Sequence, residues 1–234
     1  EMALRQIRKV TDKPIAAVFN THYHGDHWLG NHAFVRENPD VPIYAHPKTA
    51  SAIRTNQGAF WKSLMERSTG NAIAGTVVTP PNQEVTHGDE FGFGDVTVRV
   101  HFYGTAHTPS DICLELVEQR IVHVGDIAMN NRIAFMDDGS FLGTFKAYDA
   151  LEAAVPDGYW IPAHGFPSED LIENNRILFL GIYEAAEKAV QDMATPSEVK
   201  DYVLADERVQ HYAPVTNGFD ENIGKYASLA YLEA

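Results

Sequence analysis

Three histidines and one aspartate fall within six consecutive residues, 22–27, in the order H-x-H-x-D-H. In an extended segment, residues two apart point the same way, so His22 and His24 can present two imidazoles to one cation. Asp26 and His27 follow Gly25, where the chain can turn and direct them towards a neighbouring cation. The chain has only 11 histidines, and the chance expectation of this hexapeptide is about 0.002. The hexapeptide therefore predicts a metal site.

The donor types in the hexapeptide indicate which metals would bind. Neutral imidazoles together with a carboxylate suit a borderline metal, with zinc first and iron or manganese as alternatives. The all-oxygen sites that Ca²⁺ and Mg²⁺ prefer do not match this set.

Three later residues have similar sequence contexts. His107 follows an alternating strand pattern, Asp126 follows an apolar strand and Gly125, and His164 follows another short strand. A lone histidine at a strand end is more often a hydrogen-bonded or surface residue. Four strand-end loops that all carry His or Asp are stronger evidence, because a β-sandwich brings one edge of its strands together.

The ordered set of motifs, over roughly residues 14–167, resembles the metallo-β-lactamase superfamily. The resemblance implies an α/β fold, an αββα sandwich, here followed by a C-terminal helical extension. It also implies two metal ions, as in the binuclear members of the superfamily. Site one would use His22, His24 and His107, site two would use Asp26, His27 and His164, and Asp126 would bridge both ions.

The resemblance further implies a hydrolase in which two Zn²⁺ ions hold a bridging hydroxide. The hydroxide would attack a small ester, thioester or lactone carbonyl, and Asp26 would act as a catalytic residue by orienting it. Class B β-lactamases generally place Cys or Ser where Asp126 stands. The aspartate is similar to that of hydroxyacylglutathione hydrolases, lactonases and quinoprotein-associated metallohydrolases. His24 stands where the flavodiiron branch tends to have Glu. A β-lactam-hydrolysing enzyme and a mononuclear iron persulfide-type dioxygenase stay open as alternatives.

Few residues outside the ligand set suggest a role in substrate binding. Arg132 follows the Asp126 loop closely and is the best candidate for binding an anionic substrate group. Asp111 is expected to be an ordinary carboxylate at the start of a strand. The alternative is that it forms a hydrogen bond with the imidazole of a metal ligand. Cys113 lies in an apolar run and is expected to be a core residue. The remaining histidines, including His101, are expected to be structural or surface residues.

Composition excludes several functional classes. Eighteen basic and 32 acidic residues give a net charge of −14, so a nucleic-acid partner is not expected. No apolar run reaches the roughly 18 residues that span a bilayer, so a membrane is not expected either. A small-molecule substrate is the expected partner, and a homo-oligomer stays open. A single cysteine cannot form an intrachain disulfide, and the compartment, periplasm or cytoplasm, stays open.

The hydrophobic pattern predicts alternating strands and helices. Strands are predicted near residues 15–19, 41–45, 96–102, 111–117, 120–124 and 159–161. Helices are predicted near residues 2–10, 27–36, 48–67 with a break at Gly58, 144–155, 168–193, from 195 onwards, and 221–232. Residues 1–167 are predicted to form the metallo-β-lactamase-like domain and residues 168–234 a helical extension packed on it. Only 21 residues precede His22, so two alternatives stay open: the first sheet lacks its N-terminal hairpins, or those strands belong to a segment that is not present in this chain.

Overall fold

A computed structural model describes residues 2–234, and these residues form eight β-strands and nine α-helices. The chain divides into two compact units, the first ending at Asp89 and the second running from Glu90 to Ala234. The strands are β1 (Val18–Phe19), β2 (Ile43–Ala45), β3 (Gln83–Glu84), β4 (Glu90–Phe93), β5 (Val96–His101), β6 (Cys113–Leu116), β7 (Ile121–Gly125) and β8 (Tyr159–Pro162). The helices are α1 (Met2–Ile7), α2 (Asn31–Glu37), α3 (Pro47–Ala52), α4 (Gly58–Ser68), α5 (Phe141–Ala154), α6 (Leu171–Gln191), α7 (Val199–Ala205), α8 (Glu207–Tyr212) and α9 (Phe219–Glu233).

The first unit contains a parallel sheet in the order β1-β2-β3 among its described residues. The strand predicted over 15–19 is shorter than expected, because pairing starts only at Val18, whose amide donates to the carbonyl of Pro42 at 2.9 Å. Proline has no N–H group, so Pro42 cannot extend the ladder towards residue 16.

The helices of the first unit differ from the prediction in one place. The helix predicted from residue 27 is wrong at its start, since residues Gly25–His27 form a 3₁₀ turn and α2 begins only at Asn31. The break predicted at Gly58 is confirmed, because a π-helical turn, Ile53–Gln57, separates α3 from α4. A Cβ atom on Gly58 would lie 2.3 Å from the Ile53 carbonyl oxygen, so only glycine fits there.

The second unit contains a five-stranded sheet in the order β4-β5-β6-β7-β8. The predicted hairpin of β6 and β7 is confirmed as antiparallel. Strand β8 pairs with β7 in parallel, so the carboxyl ends of β7 and β8 lie at the same edge. Strand β4 was not predicted, because Gly92 interrupts a short pattern that already exposes Glu90.

Two apolar clusters stabilise the second unit. One joins β7, β8 and α5 and includes Val122, Tyr148 and Trp160. The other joins α6, α7, α8 and α9 and also includes Phe141 from the start of α5. The C-terminal helices therefore share a core with the helix that follows the Asp126 loop.

Helix α6 begins at Leu171 and not at the predicted residue 168. Ser168 pairs in antiparallel fashion with Trp160, through amide-to-carbonyl bonds of 3.1 and 3.3 Å, and this delays the helix. The domain boundary predicted at residue 167 stays a prediction. Among residues 2–234, no helix combines the length and the apolar character needed to cross a membrane.

Candidate metal centre

The first two hexapeptide histidines lie in the loop that follows β1, and both are buried. The Thr21 hydroxyl is 3.0 Å from His22 Nδ1, a contact that fixes the orientation of the His22 ring. The ring centroids of His22 and His24 are 4.7 Å apart, and the two residues offer ligand atoms within 4.8 Å of each other. Two imidazoles at this separation can ligate one cation.

The second half of the hexapeptide forms a separate pair of donors. The 3₁₀ turn Gly25–His27 brings His27 Nε2 to 3.3 Å from Asp26 Oδ2. A Cβ atom on Gly25 would lie 3.0 Å from Cβ of Trp61 and 3.1 Å from a Leu29 methyl group. The glycine therefore allows the loop to pack closely on α4.

Two buried asparagines hold the hexapeptide loop in place, and sequence reasoning missed both. The side chains of Asn20 and Asn31 exchange two amide hydrogen bonds of 3.0 and 2.8 Å. Asn20 Nδ2 also donates to the His27 carbonyl at 3.0 Å, which ties the end of the loop to its start. The only sequence signal was an asparagine directly after the apolar run of β1.

The second unit gathers the other three predicted ligands around one carboxylate. Asp126 is buried, and its Oδ2 atom lies 3.5 Å from His107 Nε2 and 3.7 Å from His164 Nε2. The two histidines come from different loops, 57 positions apart in the sequence, so their approach to one oxygen reflects the fold of the sheet. A carboxylate between two imidazoles is an arrangement that can hold metal ions.

Parallel pairing of β7 and β8 explains why Asp126 and His164 are neighbours. Asp126 follows the last residue of β7, and the Gly125 carbonyl accepts a hydrogen bond of 2.9 Å from the Ala163 amide. The Asn130 amide donates to the His164 carbonyl at 3.3 Å. Gly165 has φ +108°, and a Cβ atom there would lie 2.7 Å from the Asn130 carbonyl oxygen. The two loops are thus held side by side by backbone contacts.

The loop that carries His107 is fixed on two sides. The Ser140 amide, at the start of α5, donates to the Ala106 carbonyl at 2.8 Å. Asp111 accepts from the Thr108 amide at 2.6 Å and from the Thr108 hydroxyl at 3.0 Å, which closes the turn after His107. Burial raises the pKa of Asp111 to about 7, against the opposing effect of the hydrogen bonds from Thr108. This geometry agrees with the expectation that Asp111 is a carboxylate at a strand start, and here it closes the turn before that strand.

Residues predicted to lie outside the ligand set have clear positions. Arg132 is exposed and lines a cleft of about 190 Å³, together with Asn174 and Tyr212. Its role in substrate binding stays a prediction. Cys113 is buried in β6, and this burial raises the pKa of its thiol, so it is the core residue expected. His101 is a buried structural histidine whose Nε2 lies 2.7 Å from Glu115 Oε2.

Within each unit, the structure brings the predicted ligands close together. The first contains His22, His24, Asp26 and His27, and the second contains His107, Asp126 and His164. Imidazole and carboxylate donors of this kind fit zinc and iron, so these His and Asp residues could bind metal ions. The division of the ligands between two ions stays a prediction.

The chain thus has an α/β fold with two sheets, and His and Asp groups that could bind metal ions lie on its loops. A family model for the metallo-beta-lactamase superfamily matches residues 1–195. The chain therefore belongs to the metallo-β-lactamase superfamily, as its motifs predicted.

One curated protein of known name is similar to this chain in sequence. A linear primary-alkylsulfatase from Pseudomonas sp. (strain ATCC 19151) is 22% identical over an alignment of 254 positions, gaps included. The alignment covers 90% of this chain and 47% of that protein. The chain spans about half the length of this curated relative.

Solved structures confirm the fold class. A metallo-β-lactamase from Pontibacter korlensis matches with a TM-score of 0.55 and 19% identity, over 74% of this chain and 72% of that chain. TTHA1623 in a di-iron-bound form matches with a TM-score of 0.57 and 22% identity, over 73% of this chain and 79% of that chain. Identities this low show the fold alone, and they confirm the predicted metallo-β-lactamase-type α/β architecture.

Proposed function

We propose that this protein is a metal-dependent hydrolase that acts on a small ester, thioester or lactone. The observation that carries the proposal is the buried Asp126 carboxylate, with one oxygen within 3.7 Å of imidazole nitrogens from two separate loops. The clustered histidines of the hexapeptide support it, as does membership of the metallo-β-lactamase superfamily.

We propose further that the seven predicted ligands hold two Zn²⁺ ions. One ion would take His22, His24 and His107, the other would take Asp26, His27 and His164, and Asp126 would contact both. When bound, the ions supply Lewis acidity towards a carbonyl oxygen and make water acidic enough to react near neutral pH.

The residues of this chain have distinct roles in the proposed reaction. Asp26, whose side chain is 36% exposed, accepts a hydrogen bond from the attacking water and orients it towards the carbonyl carbon. Asp126 would balance part of the positive charge of the bound ions. Imidazoles bind metal ions in their neutral form, so His22 and His24 would add no positive charge to the site.

Chelation and reconstitution test the proposed function. Purified protein is treated with a chelator, dialysed and assayed on a thioester, a lactone, a phosphodiester and a β-lactam, before and after zinc is added. We expect hydrolysis of the thioester or the lactone to disappear on chelation and to return with zinc. A fully chelated protein that keeps its hydrolytic activity would contradict the proposal.

A second candidate substrate class is suggested by the similarity to the linear primary-alkylsulfatase. Hydrolysis of an alkyl sulfate needs the same acidic water and a cation to stabilise the departing sulfate. Adding a linear alkyl sulfate to the panel separates the two candidates, because a carbonyl hydrolase leaves it intact. Turnover of the alkyl sulfate alone would favour the second candidate.

The identity of the bound metal distinguishes the proposed zinc hydrolase from an iron enzyme. TTHA1623 is similar in fold and binds two irons, so iron is tested beside zinc in the reconstitution. A single iron per chain, with oxygen consumption in place of hydrolysis, would favour the dioxygenase alternative.

A further inference from the structure

The loop between β7 and α5 begins with Asp126, and side chains on the helices of the second unit hold its first residues. Near its start, the Tyr148 hydroxyl in α5 donates to the Ile127 carbonyl at 2.9 Å. Further along, the buried Asn175 side chain in α6 contacts Met129. Between Asp126 and Phe141 the backbone forms an isolated bridge of Arg132 with Asn217 but no longer strand and no helix, so side chains also hold this loop.

Asn175 binds both backbone groups of a single residue. Its Oδ1 accepts from the Met129 amide at 3.2 Å, and its Nδ2 donates to the Met129 carbonyl. One carboxamide therefore satisfies a buried donor and a buried acceptor together, much as a neighbouring strand would. Leaving either group unsatisfied costs about 1–3 kcal/mol.

The residue after Met129 connects this contact to a predicted ligand. The Asn130 amide donates to the carbonyl of His164 itself, at 3.3 Å. Gly165 lies so close to Asn130 that a Cβ atom would meet three of its atoms within 3.0 Å. A shift of Met129 therefore moves Asn130, and a shift of Asn130 moves the His164 loop.

We infer that Asn175 is a positioning residue of the metal centre, which sets the separation of Asp126 and His164 through Met129 and Asn130. The inference rests on the proposed function, because it takes Asp126 and His164 to be metal ligands. It also gives α6 a role in metal binding, although none of the predicted ligands lies on this helix.

Two variants at residue 175 and one control test the inference. Asn175→Ala removes both hydrogen bonds to Met129. Asn175→Asp keeps the size of the side chain and loses the donor to the Met129 carbonyl. Val203→Ala removes buried apolar volume in α7, in a cluster that contains no residue of the segment 126–130, and controls for a general loss of stability.

The first measurement is zinc affinity by competition with a chromophoric chelator. We expect both Asn175 variants to bind zinc about 10–100-fold more weakly than wild type, as for other outer-shell partners, and Val203→Ala to bind as wild type does. The second measurement is amide hydrogen exchange of the metal-free proteins, in which Asn130 should exchange faster in the Asn175 variants alone.

Three results would contradict these proposals in distinguishable ways. Wild-type zinc affinity and unchanged Asn130 exchange in both Asn175 variants would overturn the positioning role alone. An equal loss of zinc affinity in Val203→Ala would overturn it as well, by showing that lost stability is sufficient. A wild-type protein that binds neither zinc nor iron would overturn the proposed function itself.

Discussion

At the scale of single residues, the proposed chemistry depends most on Asp126. A buried carboxylate costs free energy unless cations or hydrogen-bond donors compensate it, and two imidazole nitrogens approach this one within 3.7 Å. Replacing one oxygen by an amide nitrogen preserves the shape of the side chain and removes its charge. The substitution Asp126→Asn therefore probes the charge with little change in packing.

We expect Asp126→Asn to lower kcat/KM on the substrate found by at least about 100-fold, because the loss of a ligand charge removes several kcal/mol of metal-dependent stabilisation. The control is Asp157→Asn, whose side chain is 88% exposed and pairs only loosely with Arg120 at 3.6 Å. Steady-state kinetics and metal content are measured for both variants. Wild-type activity in Asp126→Asn would contradict the assignment.

At the scale of elements, the first turn of α5 supports the His107 loop. The Ser140 side chain accepts from the Gly143 amide, and Glu233 at the end of α9 accepts from the Phe141 and Leu142 amides at 2.8 and 3.2 Å. The first turn is therefore capped by its own serine and by the last turn of another helix. This capped turn lies directly against the backbone of Thr105.

A matched pair of glycine variants tests that contact. A Cβ atom on Gly143 would lie 1.9 Å from the Thr105 carbonyl oxygen, whereas a Cβ atom on Gly224 in α9 would meet nothing within 4 Å. We expect Gly143→Ala to lower the free energy of unfolding by about 1–3 kcal/mol and to weaken zinc binding by moving the His107 loop. Gly224→Ala should raise the free energy of unfolding by up to about 1 kcal/mol. Urea unfolding measures both, and equal stabilities of the two variants would argue against the close contact.

A charged cap on α8 predicts a dependence of stability on pH. Asp206 Oδ1 accepts from the Arg208 and Val209 amides, and the hydrogen bonds from Arg208 hold the pKa of Asp206 below its usual value. A lowered folded-state pKa contributes stability above the unfolded pKa, near 3.9, and this stability is lost as the pH falls through the folded pKa.

Asp206→Asn keeps a good cap and removes the charge. We expect the variant to be less stable than wild type by about 0.5–1 kcal/mol at pH 7, with the difference shrinking below about pH 4. Urea unfolding at several pH values measures this difference. A difference that stays constant from pH 7 to pH 3 would argue against a charge effect.

Part of this arrangement of strands, helices and loops could be predicted from the sequence. The ligand-bearing loops were predictable, because each follows an apolar strand pattern and ends in His or Asp, as at Asp126 and His164. The supporting contacts were not. Asn20 and Asn175 act through backbone groups that become neighbours only after folding, and no local pattern marks them. The shortening of β1 likewise depended on the pairing partner Pro42, which its own sequence does not reveal.

At the scale of the whole molecule, two properties frame the proposed activity. A net charge of −14 opposes binding to nucleic acid, in keeping with a small-molecule substrate as the proposed partner. The superfamily match extends over residues 1–195 and so continues into α6 and beyond, the helix that carries Asn175.

We expect zinc to raise the melting temperature of the metal-free protein, because a ligand that binds the folded state stabilises it by mass action. At a zinc concentration 100 times Kd the stabilisation is about 2.7 kcal/mol. Differential scanning calorimetry with increasing zinc measures the shift, and Asp126→Asn serves as the control with a smaller shift. A melting temperature that does not change with zinc would contradict metal binding by the folded chain.

The number of metal ions bound per chain tests most directly whether the predicted ligands bind metal. It is measured by elemental mass spectrometry of acid-digested protein, after zinc loading and gel filtration. We expect about two zinc ions per wild-type chain and fewer in Asp126→Asn. A wild-type chain that retains no zinc or iron, or an Asp126→Asn variant that retains the full wild-type complement, would contradict this expectation.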